Sequence, residues 1–115
     1  MDGTIRISAT TVAEVVAFAA QDVEGVTWGF DRILGGVELF RGKEPVSREE
    51  KILLEEKELT VCIHIGVHHG TLFFKVAQAV QKNVYDALFH RLGVQPHRVH
   101  VEVQEVDWSN IDERG

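Results

Sequence analysis

Ile5-Arg6-Ile7-Ser8, followed by Thr10 to Val26 reading TTVAEVVAFAAQDVEGV, compresses a strand, a helix and a stop signal into one short stretch. Ile5 and Ile7 alternate with polar neighbours, the period of a half-buried strand. Val12, Val15, Val16, Ala19 and Val23 stand at i, i+3, i+4, i+7 and i+11, which places them on one stripe of an α-helix. Thr11 and Glu14 have capping-box spacing, with a hydroxyl able to accept the third amide and a carboxylate able to reach back to the cap amide. Gly25, without a Cβ, lets the chain leave the helix left-handed. A helix striped on one side needs an apolar surface to lie on, and strands further along the chain supply it.

After this unit, Val26 to Gly36 reads as a loop with glycines at 29, 35 and 36, and Gly36 to Arg41 as a second strand. Charge of both signs concentrates between Arg41 and Glu58, the pattern of a solvated excursion rather than a binding patch. Within it, Ser47 and Glu50 have the spacing to cap a short helix through Glu56, the preferred reading. The alternative is a strand at Ile52-Leu53-Leu54 that pairs with the next one through a turn at Glu56-Lys57-Glu58, and periodicity does not arbitrate so short an apolar run.

Leu59 to Val67 is the clearest strand. Leu59, Val61, Ile63, Ile65 and Val67 face one way, and Thr60, Cys62, His64 and Gly66 the other. Gly70 breaks the chain and Thr71 is placed to cap a second helix, striped by Phe73, Val76, Ala77, Val80, Val84, Ala87 and Leu88. His90 and Arg91 suit its last turn, Gly93 its left-handed exit, and Pro96 forbids continuation. Val99, Val101 and Val103 alternate in a final strand. From Asp107 to Gly115 the chain reads as a polar tail that carries Trp108 and Ile111. The order β-α-β-β-α-β predicts an α+β, single-domain two-layer sandwich: a small antiparallel or mixed sheet with two helices on one face. The domain spans residues 1–106, with 41–58 as a charged insertion and 107–115 as the tail. The other sheet face is then wet or covered by a partner.

At 115 residues the chain holds one domain and one core. A net charge of −6 and a pI near 5.4 argue against a nucleic-acid phosphate binder and against adsorption to an anionic membrane surface. No apolar run approaches the ~20 residues that span a bilayer, and no signal segment opens the chain. The single cysteine rules out an internal disulfide framework and fits a reducing compartment, so the expected location is cytoplasmic.

Cys62, His64 and His68 lie at i, i+2 and i+6 on one strand face, and His100 has outward parity on the last strand. Were those strands neighbours, the four could converge on a transition metal and make the protein a metal sensor or store. The competing reading is of solvent-side polar residues on an open sheet face. No C-x-x-C or H-E-x-x-H spacing supports a metal, so the preferred assignment has no metal and no cofactor. Catalysis has no motif either: there is no G-x-S-x-G elbow, and Cys62 lies inside a strand rather than at a helix N-terminus that would activate it. K-homology-like RNA modules have a similar element order but need a G-x-x-G loop with basic flanks, which is absent. Candidate contact residues are the loop aromatics Trp28 and Phe30, beside glycines, and Phe40, on the outward side of its strand. For the loop pair the alternative is folding back over an end of the helical layer, and Trp108 in the tail carries the same two readings.

The pattern I-x-I-S, then V, then A-x-x-A-x-x-V-E-G-V resembles the start of the alkaline shock protein family, the cell-envelope-stress proteins of bacteria. The resemblance continues through Gly36-Val37-Glu38-Leu39, the strand Leu59 to Val67, Gly70, a helix with Val76, Val80-Gln81 and Val84, then Gly93 and Val99-His100-Val101-Glu102-Val103. It covers the chain apart from Arg41 to Glu58 and the tail after Val106. It implies a non-enzymatic scaffold protein of cell-envelope homeostasis and alkaline or general stress that self-associates into a homo-oligomer. It further implies a protein partner, either a membrane-anchor protein or one related to acetyl-CoA carboxylase. The family supplies no catalytic residues, and its positions Gly25, Val26, Gly70 and Gly93 read as punctuation of the fold. A histidine switch suits alkaline stress poorly, because free imidazole, with a pKa of about 6.5, is already neutral there.

Overall fold

The structure is a computed structural model and describes residues 3–109. In chain order it contains β1 (Arg6–Ser8), α1 (Ala9–Gln21), α2 (Phe30–Gly36), β2 (Glu38–Arg41), β3 (Glu44–Val46), β4 (Lys51–Leu53), β5 (Leu59–His68), α3 (Phe73–Ala87) and β6 (Arg98–Asp107). A π-type turn, Leu88–Leu92, continues α3 and ends at Gly93 in the left-handed conformation. This is the α+β two-layer architecture the patterning predicts, with additions.

The main sheet has the order β3-β2-β5-β6, and β1 pairs with β4 in a separate two-stranded ribbon. β5 is antiparallel to β2 but parallel to β6. Parallel neighbours need a crossover, and α3 provides it. Leu59, Val61, Ile63, Ile65 and Val67 of β5 are all fully buried, as their alternation requires. Along β6 the register slips between the partners of Ile65 and Gly66, so that Val103 faces Ile65 and Glu105 faces Gly66. The extra residue is a β-bulge, and it lets Val106 pack against the core beyond it.

α1 and α3 pack on each other over one face of this sheet, α1 touching β2 and β5 and α3 touching β6. Val12, Val16 and Ala19 of α1 and Val76, Val80, Val84 of α3 are buried, followed by Leu88 in the π-type turn. Asn83 ties the layer together by donating its Nδ2 to the Ala19 carbonyl at 2.6 Å. Gly25 has φ +101°, and a Cβ there would stand 2.9 Å from Val76 Cγ2, so both backbone and packing demand glycine.

Several local expectations are overturned. Ser8, not Thr11, caps α1: its Oγ accepts the Thr11 amide at 3.1 Å, because the chain passes from β1 into the helix with no loop between. The stretch from Val26 to Gly36 is not all loop: its second part forms α2, which buries Ile33. Residues 47–56 form no helix; β3 and β4 flank a turn at Ser47. β4 pairs with β1 rather than with the following strand, setting Ile7 opposite Ile52. Thr71 does not cap α3, since its Oγ1 donates back to the His68 carbonyl and the cap position is Leu72. Phe73 turns outward instead of joining the α3 stripe. The final strand runs through Asp107, one residue into the expected tail; Ile111 and the rest of 110–115 lie outside the described residues.

Candidate functional site

Because α1 and α3 occupy one face, side chains of opposite parity meet on the other. The register sets Glu38 of β2 opposite Cys62 of β5 and Phe40 opposite Thr60. On the other side of β5, Cys62 faces His100 and His64 faces Glu102 of β6. Opposed residues in a ladder share a face, so one patch draws on three strands.

At its centre is His64, with a side chain only 19% exposed. Nε2 lies 2.9 Å from Glu38 Oε1 and 4.0 Å from Cys62 Sγ. Nδ1 lies 3.0 Å from Glu102 Oε2, an ion-pair distance that lacks hydrogen-bond alignment. Gly36, at the end of α2, comes so close that a Cβ there would be 3.4 Å from His64 Cβ. Burial, then the charges of Glu102 and Glu38, push the Cys62 thiol up from its ordinary range.

The ligand atoms of Glu38, Cys62 and His64 all lie within 4.8 Å of one another. Of the four residues on which the sequence rests a metal reading, the structure therefore gathers Cys62 and His64 and adds Glu38. His100 stands beside Cys62 on the next strand but outside the group, and is exposed. His68, opposite Asp107, lies beyond the bulge at the far end of β5. Glu38 was legible in principle: it stands two residues before the outward-facing Phe40, and so on the histidine face.

The candidate contact aromatics fare differently. Trp28 is half-buried, donating Nε1 to Glu105 Oε2 at 2.9 Å, with the Arg32 guanidinium 3.9 Å from its ring centroid. Phe30 packs on Phe18 of α1, their centroids 4.2 Å apart. Both therefore turn back onto the protein. Phe40 is half-buried on the open face. A different apolar group, of which the sequence reading singled out only Trp108 for contact, lies at the end of the sheet where β5 and β6 both finish. There Leu72, Phe73 and Phe74 open α3, and Trp108 follows β6. All four are exposed, Phe74 and Trp108 each at 61%. The turn between β5 and α3 holds them at one end: the His69 amide donates to the Asp107 carbonyl and its ring stacks on Trp108 at 5.6 Å. A surface cleft of about 610 Å³ opens at the opposite end of the sheet, lined in part by Leu54, Tyr85, Phe89, Pro96 and His97.

Among the described residues no helix is long and apolar enough to cross a membrane. Comparison with curated proteins and with solved structures yields no match. The model of the alkaline shock protein 23 family, described by a cell envelope-related function, matches residues 1–108. With nearly every residue of the chain inside that match, and with the expected layers in place, the protein belongs to the alkaline shock protein family of cell envelope-related function.

Proposed function

We propose that this protein is a non-enzymatic docking protein of cell-envelope homeostasis under alkaline or general stress. It works from the cytoplasm, self-associates, and reaches the membrane through a protein partner. The observation that carries this reading is the exposed apolar end formed by Leu72, Phe73, Phe74 and Trp108. Three consecutive large apolar residues at a helix start, with an indole beside them, are expensive to leave in water and typical of a protein-binding surface. A net charge of −6 disfavours an anionic lipid surface as the occupant and favours a protein. A membrane-anchored protein, or one related to acetyl-CoA carboxylase, fits the family's envelope role.

Sedimentation velocity across concentration, together with capture of partners from the native host, tests the reading. We expect wild-type protein to self-associate or to retain a specific partner. A Phe74→Ser, Trp108→Ser double variant should weaken that association by roughly 30-fold or more, as loss of interface hot spots does. A folded wild type that stays monomeric and captures nothing specific overturns the proposal, as does association unaffected by the double substitution.

A further inference from the structure

We infer that Glu38, Cys62 and His64 form a binding site for a zinc-type divalent transition ion, with Glu102 as the positioning residue for the imidazole. The inference stands apart from the docking reading, since it uses the open face and not the apolar end.

Geometry comes first. In a tetrahedral zinc site, bonds of about 2.0 Å to nitrogen, 2.1 Å to oxygen and 2.3 Å to sulfur set the ligand atoms roughly 3.4–3.6 Å apart. Here Nε2 of His64 is 2.9 Å from Glu38 Oε1 and 4.0 Å from Cys62 Sγ. Relative to Nε2, admitting an ion therefore asks the carboxylate to retreat and the thiol to advance by about half an ångström each. The carboxylate and thiol, within 4.8 Å of each other, must also close on the shared ion. Glu38 has that freedom, because its side chain is 54% exposed. An imidazole, a thiolate and a carboxylate are a donor set that suits zinc, with the fourth position left to water on the open face.

The two sides of the ring are used differently. Glu38 and Cys62 both approach Nε2, whereas Glu102 Oε2 lies 3.0 Å from Nδ1, at ion-pair distance but out of line for a hydrogen bond, so a small turn of the carboxylate is needed to engage it. A metal-binding histidine commonly offers its second N–H to a carboxylate, which fixes the tautomer and aims the lone pair at the ion. Two carboxylates and a thiol thus gather around one imidazole, a donor cluster of the kind that a transition ion draws together.

The test uses the full, untagged chain, stripped with chelator and titrated with Co²⁺, followed by competition with Zn²⁺. We expect one equivalent per chain, a thiolate-to-cobalt charge-transfer band in the near ultraviolet, and visible bands of a tetrahedral ion. Cys62→Ser should abolish the charge-transfer band, and His64→Gln should weaken zinc binding by about 100-fold. Glu102→Gln should weaken it about 10-fold with stoichiometry unchanged, the size of effect expected from an outer carboxylate. Far-ultraviolet circular dichroism checks each fold. Should the Cys62 or His64 variants unfold, Glu38→Gln replaces them with the same expected loss of zinc binding. Absence of the charge-transfer band in wild-type protein overturns the inference, as does zinc affinity equal to wild type in any folded ligand variant.

Discussion

Gly66 has no room for a side chain: a Cβ there would lie 2.3 Å from Trp28 Nε1 and 2.5 Å from its Cδ1. The indole occupies the space that the glycine leaves and is held by Glu105 and Arg32. Gly66→Ala should therefore cost about 1–3 kcal/mol, the usual range for overpacking, and should shift the tryptophan emission by breaking the Trp28–Glu105 bond. Urea titration followed by fluorescence measures both. A second prediction separates the observed cap from the one that spacing suggests. Ser8→Ala should lose about 1 kcal/mol of unfolding free energy, and Glu14→Gln much less, because Ser8 holds the Thr11 amide. At this scale sequence patterning found the helix but not its first residue. Ser8 belongs to the strand pattern and to the helix cap together, and a reading that separates elements with a loop assigns it to only one.

Among the elements, the charged stretch between Arg41 and Glu58 departs most from its sequence reading. It is not merely solvated. Arg41 donates to Glu56 Oε2 at 3.0 Å and to the Lys51 carbonyl at 3.3 Å, with Glu50 Oε1 at 3.5 Å, so one guanidinium gathers the segments on both sides of β4. Arg48 donates to the carbonyls of Leu34 and Val37, fastening the turn between β3 and β4 to the end of α2. The Ser47 amide donates to Glu50 Oε2 at 2.8 Å, so the capping spacing seen in the sequence is real but closes a turn rather than a helix. Periodicity could not foresee this, because Ile52 finds its place against Ile7, across most of the first half of the chain.

The same turn has a pH signature. The Ser47 amide, and after it the Arg41 guanidinium, hold the Glu50 carboxyl below the ordinary carboxylate value of 4.5. A group whose pKa is lower in the folded state contributes stability above its unfolded value and loses it as pH falls through the folded one. We therefore expect denaturant midpoints to fall with acidification below about pH 4.5, and Glu50→Gln to make that acid limb shallower. An acid limb as steep in the variant as in wild type would show that other carboxylates carry it.

For the molecule as a whole, the alternation of β5 and the two helical stripes were enough to read the architecture. Burial of five alternating residues forces one sheet face under a helical layer, whatever the loops do. Ile63, at zero exposure in the middle of the central strand, should be the most sensitive kind of position. Ile63→Ala should cost about 2–5 kcal/mol through lost burial and the cavity left behind, measured as a lower midpoint of cooperative unfolding. The candidate sites were less legible, for a physical reason. Cys62 and His64 share a strand and are visible together, but Glu38 and Glu102 reach them from β2 and β6 only through the register. The exposed Phe73 looked like helix core because a stripe extrapolated by one turn cannot tell where the neighbouring helix ends.

The parallel seam between β5 and β6 has a consequence for synthesis. Until the ribosome has released Arg98–Asp107, the most oily strand of the protein carries one bare flank, and among the described residues no earlier segment is placed to cover it. A chain halted at the Gly93 exit would thus be a sticky species, and a chaperone that shields strand flanks is the guardian it would need.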